Sequence, residues 1–110
     1  MKVKSYYTDA NVNGSCRQGS VFTTYQILKD ILGEPQYTDA DPLEKVSCEW
    51  TLKAEVVNDY GDTEFQVASI YAWKYGYIPT DECQWNIGGN SYIAQDIIEQ
   101  IIERRLTSDA

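Results

Sequence analysis

The sequence predicts an α+β fold in which two helices pack on a small antiparallel sheet. Three observations lead to this prediction. Residues 45–57 and 63–73 alternate apolar and polar side chains around a turn-forming segment, which is typical of a β-hairpin. Residues 20–32 and 91–106 instead repeat apolar side chains at helical spacing. The length of 110 residues suits one domain, so we expect a single α+β domain over residues 1–110.

The predicted hairpin turns at residues 58–62, NDYGD, where asparagine, aspartate and glycine favour a tight turn. Every second residue of the first strand, from Val46 to Val56, is apolar, so this strand should be buried on one face. In the return strand we expect these residues to face the core: Phe65, Val67, Ser69, Tyr71 and Trp73. The other face of that strand, with Ala68 and Ile70, is only weakly polar, which predicts a central place in the sheet or contact with another subunit.

The two predicted helices carry end signals as well as periodicity. In the first helix, Ser20 or Thr23 can cap the N-terminus, and Gly33 suits the C-terminal end. In the second helix, Asn90 or Ser91 can cap the start. Its apolar stripe consists of Ile93, Ala94, Ile97, Ile98, Ile101 and Ile102. Because this stripe exceeds what one modest sheet face needs, we expect a homo-oligomer formed through the C-terminal helix.

Short strands complete the predicted sheet. Residues 1–19 alternate weakly and then become rich in turn-forming residues, so they should be irregular or strand-like. Residues 84–87, QWNI, have the length and composition of a short final strand. Between the first helix and the hairpin, residues 34–44 should form an acidic loop.

Charge and composition exclude several classes of function. The formal net charge is −8, so the chain should be repelled by nucleic acids and anionic membranes and could attract a basic partner. The chain has no histidine, which removes the Ser-His-Asp triad and any imidazole base, and we do not expect an enzyme. Cys16, Cys48 and Cys83 are scattered, so we expect no metal site and no cofactor. Without a membrane-length apolar run or a secretory signal, the chain should be cytoplasmic.

The segment WNIGGNS, residues 85–91, is the first candidate for ligand binding. Gly88 and Gly89 come just before the last helix, where unpaired backbone N–H groups and the helix dipole favour an anion. Trp85, Asn86, Asn90 and Ser91 would add side chains to such a site. The alternative interpretation is a tight turn followed by a helix cap.

The segment SIYAWKYGY, residues 69–77, is the second candidate. Tyr71 and Trp73 could stack on a nucleobase, and Lys74 could pair with a phosphate. The alternative is that Tyr71 and Trp73 belong to the core, since they share the predicted apolar face with Phe65.

Acidic residues form a third candidate surface. Glu49 and Glu55 share the polar face of one predicted strand. The remaining members lie in the acidic loop and at the hairpin: Asp39, Asp41, Glu44, Asp59, Asp62 and Glu64. Carboxylates spaced along a sheet can imitate a phosphate backbone and occupy a nucleic-acid channel of another protein. The alternative is a solvated surface without a partner.

Several motifs resemble those of a group of small bacteriophage proteins. They are G-S-V, Y-x-x-L, L-G-E-P, K-V-x-x-E-W, I-Y-x-W-K and W-x-I-G-G, spread over residues 19–105. The most specific are Glu49-Trp50, Ile70-Tyr71 with Trp73-Lys74, and Trp85 with Ile87-Gly88-Gly89. Members of that group often have histidine after the last tryptophan, where this chain has Asn86, so no histidine-dependent role is carried over.

This resemblance implies an accessory or anti-defence role during infection. The size and plan of the chain are also similar to those of the Thoeris anti-defence proteins, which sequester cyclic-nucleotide or cyclic ADP-ribose signals without cleaving them. We therefore expect a phage-encoded protein, in the cytoplasm of the host cell, that binds a small nucleotide immune signal. Phosphates would meet the Gly88 and Gly89 amides, Lys74, and an arginine from Arg17, Arg104 or Arg105.

A second function remains open from the residues alone. The chain could be an acidic protein–protein inhibitor, an anti-CRISPR-like nucleic-acid mimic that blocks a nucleic-acid-binding protein of the host. The expected partners are thus a small nucleotide ligand or a host defence protein. Neither hypothesis involves direct contact with nucleic acid or with a membrane.

Overall fold

The structure is a computed structural model that contains six strands and two helices in the part of the chain that it describes. It describes residues 1–8, 10, 15–38, 46–73 and 78–108, with Ser47 and the last four by backbone alone. The strands are β1 (Lys2–Thr8), β2 (Cys16–Thr23), β3 (Tyr37–Thr38), β4 (Val46–Val57), β5 (Thr63–Trp73) and β6 (Cys83–Gly89). The helices are α1 (Tyr25–Leu32) and α2 (Ile93–Ser108). The predicted α+β class and the predicted hairpin are confirmed.

All strand pairs are antiparallel, in the order β1-β4-β5-β6-β2, with β3 pairing beside β1 along β4. β5 is therefore the central strand, which is one of the two alternatives that its weakly polar second face had left open. The edge strands β1 and β2 each contain a bulge, between Val3 and Ser5 and between Arg17 and Gly19. A bulge inserts one unpaired residue, so the side chains beyond it change faces relative to those before it.

Helix α2 packs on the sheet, and α1 packs beside it. Five of the six residues of the predicted apolar stripe are buried: Ala94, Ile97, Ile98, Ile101 and Ile102. The sixth, Ile93, packs partly buried against the same core. These apolar residues are buried against the sheet of the same chain, so they are not exposed for contact with a second copy. The prediction that the chain dimerises through this stripe is therefore wrong. A homo-oligomer stays a prediction that would need another surface.

Two tryptophans form the centre of the core. Trp50 and Trp85 are fully buried, and their ring centroids lie 5.7 Å apart. Each indole N–H donates to a carbonyl next to α1, Trp50 to Gly33 at 2.8 Å and Trp85 to Thr23 at 3.2 Å. Because both indoles are buried with their polar atoms satisfied, Trp85 is a core residue, and its predicted role in ligand binding is wrong.

The predicted core face of β5 is also wrong. Cross-strand neighbours share a face, and β5 pairs Ile70 with Trp50 and Ala68 with Leu52, all fully buried. Phe65 consequently points to the opposite side and is 59% exposed. The pattern of β5 alone could not fix this phase, because both of its faces carry apolar residues.

The first helix begins later than predicted. Residues 20–23 extend β2, in which Val21 pairs with Trp85. Thr24, rather than Ser20 or Thr23, caps α1, and its Oγ1 accepts from the N–H of Ile27 at 3.1 Å. The β-branched residues Val21 and Thr23 favour the strand. The predicted C-terminal end is confirmed, since Gly33 has a φ of 80° and its N–H donates to Lys29 at 2.9 Å.

Candidate functional site

The sheet has one face covered by the helices and a second face on which neither described helix packs, here called the open face. On β5 the open face carries Ser69 and Tyr71, which pair with Thr51 and Glu49 of β4. Five of the seven exposed large apolar or aromatic side chains of the described residues lie on it by register. They are Tyr7, Phe22, Tyr37, Phe65 and Trp73.

A concavity of ≈ 190 Å³ lies on the open face and is here called the open-face site. Its lining consists of Ser15, Cys16, Arg17, Val46, Glu49, Ser69, Tyr71, Trp73 and Gly88. Four residues that the sequence predicted as ligand-binding thus lie together: Arg17, Tyr71, Trp73 and Gly88. A fifth, Asn86, borders the site, because it is the cross-strand partner of Tyr71. Glu49, predicted only for the acidic surface, is part of the same site.

Gly88 forms the floor of the site, but not as a turn residue. It lies in β6 between Ser69 of β5 and Arg17 of β2. A Cβ at Gly88 would lie 2.6 Å from Ser69 Oγ and 3.5 Å from the ring of Tyr71. Because the backbone amides of this strand belong to the sheet, the predicted anion site at a helix N-terminus is wrong. The glycine instead leaves space for the side chains above it.

Gly89 serves the opposite face of the sheet. A Cβ there would lie 2.5 Å from the Cβ of Ala94 in α2. The glycine therefore permits close packing of the helix on the sheet, and its predicted contact with a ligand is wrong. The adjacent glycines Gly88 and Gly89 thus have separate roles, since successive strand residues point to opposite faces.

The corner into α2 is a cap. Ser91 Oγ accepts from the N–H of Ile93 at 3.2 Å, and the carbonyl of Ser91 accepts from Ala94 at 3.2 Å. The predicted cap at Ser91 is confirmed, although the helix begins at Ile93 rather than at 91. Asn90 is exposed beside it and, like Ser91, does not line the open-face site.

The bulge in β2 directs Arg17 to the open face. In a regular strand Arg17 and Val21 would share a face. With the bulge, Arg17 pairs with Gly88 on the open face, whereas Gly19 pairs with Ile87 on the helix-covered face. Arg17 is exposed and forms no ion pair with any residue that the structure describes. Among the described residues its guanidinium thus has no carboxylate partner, and it lines the open-face site.

Tyr71 and Trp73 form the aromatic part of the site. Their ring centroids lie 6.1 Å apart in an edge-to-face arrangement, and Trp73 is 39% exposed. Burial raises the pKa of the Tyr71 hydroxyl, and the charge of Arg17 opposes that rise. Tyr71 is thus a neutral hydrogen-bonding group near neutral pH, while Trp73 offers an aromatic surface for stacking.

Glu49 is the acidic group of the site. Burial raises the pKa of its carboxyl above the usual value. Cys48 precedes Glu49 in β4 and is buried on the helix-covered face. Burial, with a smaller contribution from the charge of Glu49, raises the pKa of the Cys48 thiol to about 12, so Cys48 is not a nucleophile. Cys16, by contrast, is exposed at the rim of the site. The sequence offered no signal for Cys16 or Ser15, which lie in a turn-rich segment without recognisable spacing.

Among the described strand residues, the open face carries slightly more basic than acidic side chains. Lys4, Arg17 and Lys53 lie there with only two acids, Glu49 and Glu55. None of the other described acids occupies a strand position on the open face: Asp30, Glu34, Asp59, Asp62, Glu64, Asp81, Glu82, Asp96, Glu99 and Glu103. The chain has a net charge of −8. The described residues of the open face do not share this excess of acidic side chains.

The predicted acidic row along β4 is interrupted. Lys53 lies between Glu49 and Glu55 on the open face, with its ammonium 5.2 Å from the ring centre of Phe65. Glu55 pairs with Lys4 at 3.6 Å and accepts from Ser5 at 3.2 Å. At the hairpin, Asp59 pairs with the N-terminal ammonium at 2.9 Å. Asp62 and Glu64 lie at the same end of β5 and away from the site.

The remaining predicted residues do not join the site. The Arg104 guanidinium contacts the carbonyl of Val3 at the helix-covered side, so its predicted role in the same pocket is wrong. Outside the described residues lie Lys74, Asp39, Asp41, Glu44 and the side chain of Arg105.

The chain matches no family model, no curated protein and no solved structure in the comparisons made. Neither described helix combines the length and apolar character needed to cross a bilayer.

Proposed function

We propose that the protein binds a small anionic ligand with an aromatic ring, of the nucleotide class, in the open-face site and retains it without cleaving it. In the setting that the phage resemblance suggests, the ligand is a nucleotide immune signal and the protein acts by sequestration. The observation that supports this proposal best is the convergence of Arg17, Glu49, Tyr71 and Trp73 on one concavity.

Each part of a nucleotide has a complementary group at the site. The exposed aromatic surface of Trp73 suits stacking with a base, which contributes about 1–3 kcal/mol in other proteins. Arg17 suits a phosphate, because the guanidinium fork matches two phosphate oxygens. Glu49 and Tyr71 can hydrogen-bond base amino or ribose hydroxyl groups. None of these groups needs to act as a nucleophile or a base in this proposal.

The size of the concavity indicates how such a ligand would lie. At ≈ 190 Å³ it is smaller than the roughly 300–1,000 Å³ typical of ligand pockets. One ring system fits within it, and the sugar and phosphates would extend over the open face. That surface carries Lys53 and Arg17, neither of which forms an ion pair with a described carboxylate, so the phosphates would not meet the acidic excess of the remaining chain.

The acidic-inhibitor alternative has less support among the described residues. A phosphate-backbone mimic needs carboxylates in an uninterrupted row, whereas Lys53 separates Glu49 from Glu55. Glu55 is moreover neutralised by Lys4. We therefore favour the nucleotide hypothesis.

The test is native mass spectrometry of the chain with a panel of mono-, di- and cyclic nucleotides. We expect one class to be retained with its mass unchanged. Arg17→Gln should weaken its binding at least about tenfold, because hydrogen bonds to charged groups contribute about 1.5–3 kcal/mol. The matched control is Lys29→Gln, which removes a cation from the exposed side of α1, where Lys29 pairs with Glu34.

A second readout locates the ligand. Trp73 lines the site and is 39% exposed, so a nucleotide stacked on its ring should reduce the quenching of its fluorescence by acrylamide. The proposal fails if the wild-type chain retains no nucleotide of the panel. It also fails if Lys29→Gln weakens binding as much as Arg17→Gln, or if the retained ligand leaves the acrylamide quenching of Trp73 unchanged.

A further inference from the structure

A second groove, of ≈ 310 Å³, lies away from the open-face site and shares no residue with it. It is here called the turn groove, because it lies between the β4–β5 turn, the chain start and the beginning of α2. Its lining consists of Met1, Asn58, Asp59, Tyr60, Tyr92, Ile93 and Asp96. The proposed nucleotide binding makes no use of it.

Two tyrosines flank the turn groove and are the most exposed of the large apolar or aromatic side chains among the described residues. Tyr60 is 91% exposed and Tyr92 is 75% exposed. The turn that carries Tyr60 is held by Asn58, whose Oδ1 accepts from the N–H groups of Tyr60 at 2.9 Å and Asp62 at 3.0 Å. Tyr92 directly precedes α2, next to the cap at Ser91. Hydrogen bonds therefore hold the backbone from which each of the two rings projects.

The charge of the groove is negative. Asp59 and Asp96 both line it, and both are exposed. Asp59 already holds an ammonium group, that of the N-terminus, at 2.9 Å. Asp96 forms no ion pair with any residue that the structure describes. One carboxylate of the groove is therefore paired with an ammonium, and the other has no basic partner among the described residues.

We propose that the turn groove binds the ammonium or guanidinium group of an organic cation. Asp96 would be its counter-ion, and the rings of Tyr60 and Tyr92 would contact it through cation–π interactions. The net charge of −8 would favour the approach of such a ligand from solution. The N-terminal ammonium beside Asp59 shows that a group of this chemistry fits against the groove.

The experiment titrates spermidine and, separately, a trilysine peptide into the full chain at low ionic strength, with binding followed by calorimetry. We expect saturable binding of at least one probe. Asp96→Asn and Tyr92→Ala should each weaken it about twofold to fivefold, the effect of one exposed ion pair or cation–π contact. Both positions are exposed, so the fold should survive, and circular dichroism checks this.

The matched control is Asp81→Asn, which removes the same charge from an exposed position outside the groove. Affinity unchanged in this variant, with loss in the other two, supports the site. Equal loss in Asp81→Asn and Asp96→Asn would show general attraction to an acidic chain and would overturn the proposal, as would failure of both probes to bind. Tighter binding of the peptide would mark a protein segment as the source of the cation, and tighter binding of spermidine a free polyamine.

Discussion

Glu49 has a partly buried carboxylate on the open face. Protonation of this carboxylate couples the stability of the fold to pH. Burial raises the pKa of its carboxyl in the folded chain above the ordinary value of 4.5. The folded state therefore binds this proton more tightly than the unfolded state does. The stabilisation from protonated Glu49 is complete below the ordinary pKa and is lost as the pH rises through the folded pKa.

This coupling predicts the effect of Glu49→Gln. The variant keeps the shape of the side chain without the charge that burial disfavours, so its free energy of unfolding should exceed that of the wild type at pH 7. At pH 4, where Glu49 is largely protonated, the two proteins should differ little. Urea unfolding of both proteins at the two pH values measures the difference. An equal difference at both values would show that the charge of Glu49 is not the cause.

At the same scale, single residues show the limit of prediction from sequence. Arg17, Tyr71, Trp73 and Gly88 were predicted as ligand residues, and the structure brings them together. Trp85 was predicted with them but lies in the core. The residue type alone does not tell a core tryptophan from a ligand-binding one. Trp85 lies in the core because its strand position, opposite Val21, faces the helices.

At the scale of elements, strands with one polar face were predictable and the central strand was not. β4 alternates between apolar and polar residues, so its buried face could be assigned from sequence. β5 carries apolar or aromatic residues on both of its faces, so its sequence does not show which face points to the core. The start of α1 was missed because Val21 fits a helical stripe as well as a strand.

Strand β6 gives a prediction about its two glycines. In Gly88→Ala the new methyl would meet Ser69 Oγ, an atom that bond rotation can move in part. In Gly89→Ala it would meet the Cβ of Ala94, which can move only with helix α2. Overpacking costs about 1–3 kcal/mol in other cores, so both variants should lose stability, Gly89→Ala more than Gly88→Ala.

Urea unfolding at pH 7 measures both changes. Ser69→Ala removes the Oγ atom and should recover most of the loss in the Gly88→Ala background, while it should leave Gly89→Ala unrepaired. Recovery in both backgrounds, or in neither, would contradict the assignment of the two glycines to opposite faces of the sheet.

At the scale of the whole molecule, the tryptophans divide between the two sides of the sheet. Trp50 and Trp85 are fully buried beneath the helices, whereas Trp73 is 39% exposed on the open face. Acrylamide should therefore quench only the Trp73 emission of the folded chain, and Trp73→Phe should remove that quenchable fraction. In urea all three tryptophans of the unfolded chain should be quenched. Quenching that persists in folded Trp73→Phe would mean that the core indoles are accessible.

The distribution of charge is also a property of the whole molecule that the sequence does not reveal. The composition gives a net charge of −8, which argues against an anionic ligand. Folding places Lys4, Arg17 and Lys53 on one surface although they are far apart along the chain. Such a grouping depends on strand order, and the order of five paired strands cannot be inferred from local patterns.

The bulge in β2 has a genetic consequence. It makes Arg17 and Gly19 point to opposite faces although two residues normally return a strand to the same face. Loss of the single codon for Gln18 would restore regular alternation, and either Arg17 would turn towards the helices or the residues after it would turn away from them. The position of the Arg17 side chain on the open face therefore depends on the extra residue Gln18 as well as on the arginine itself. In a homologue, an arginine at this position should reach the open face only if the alignment also retains a residue at position 18.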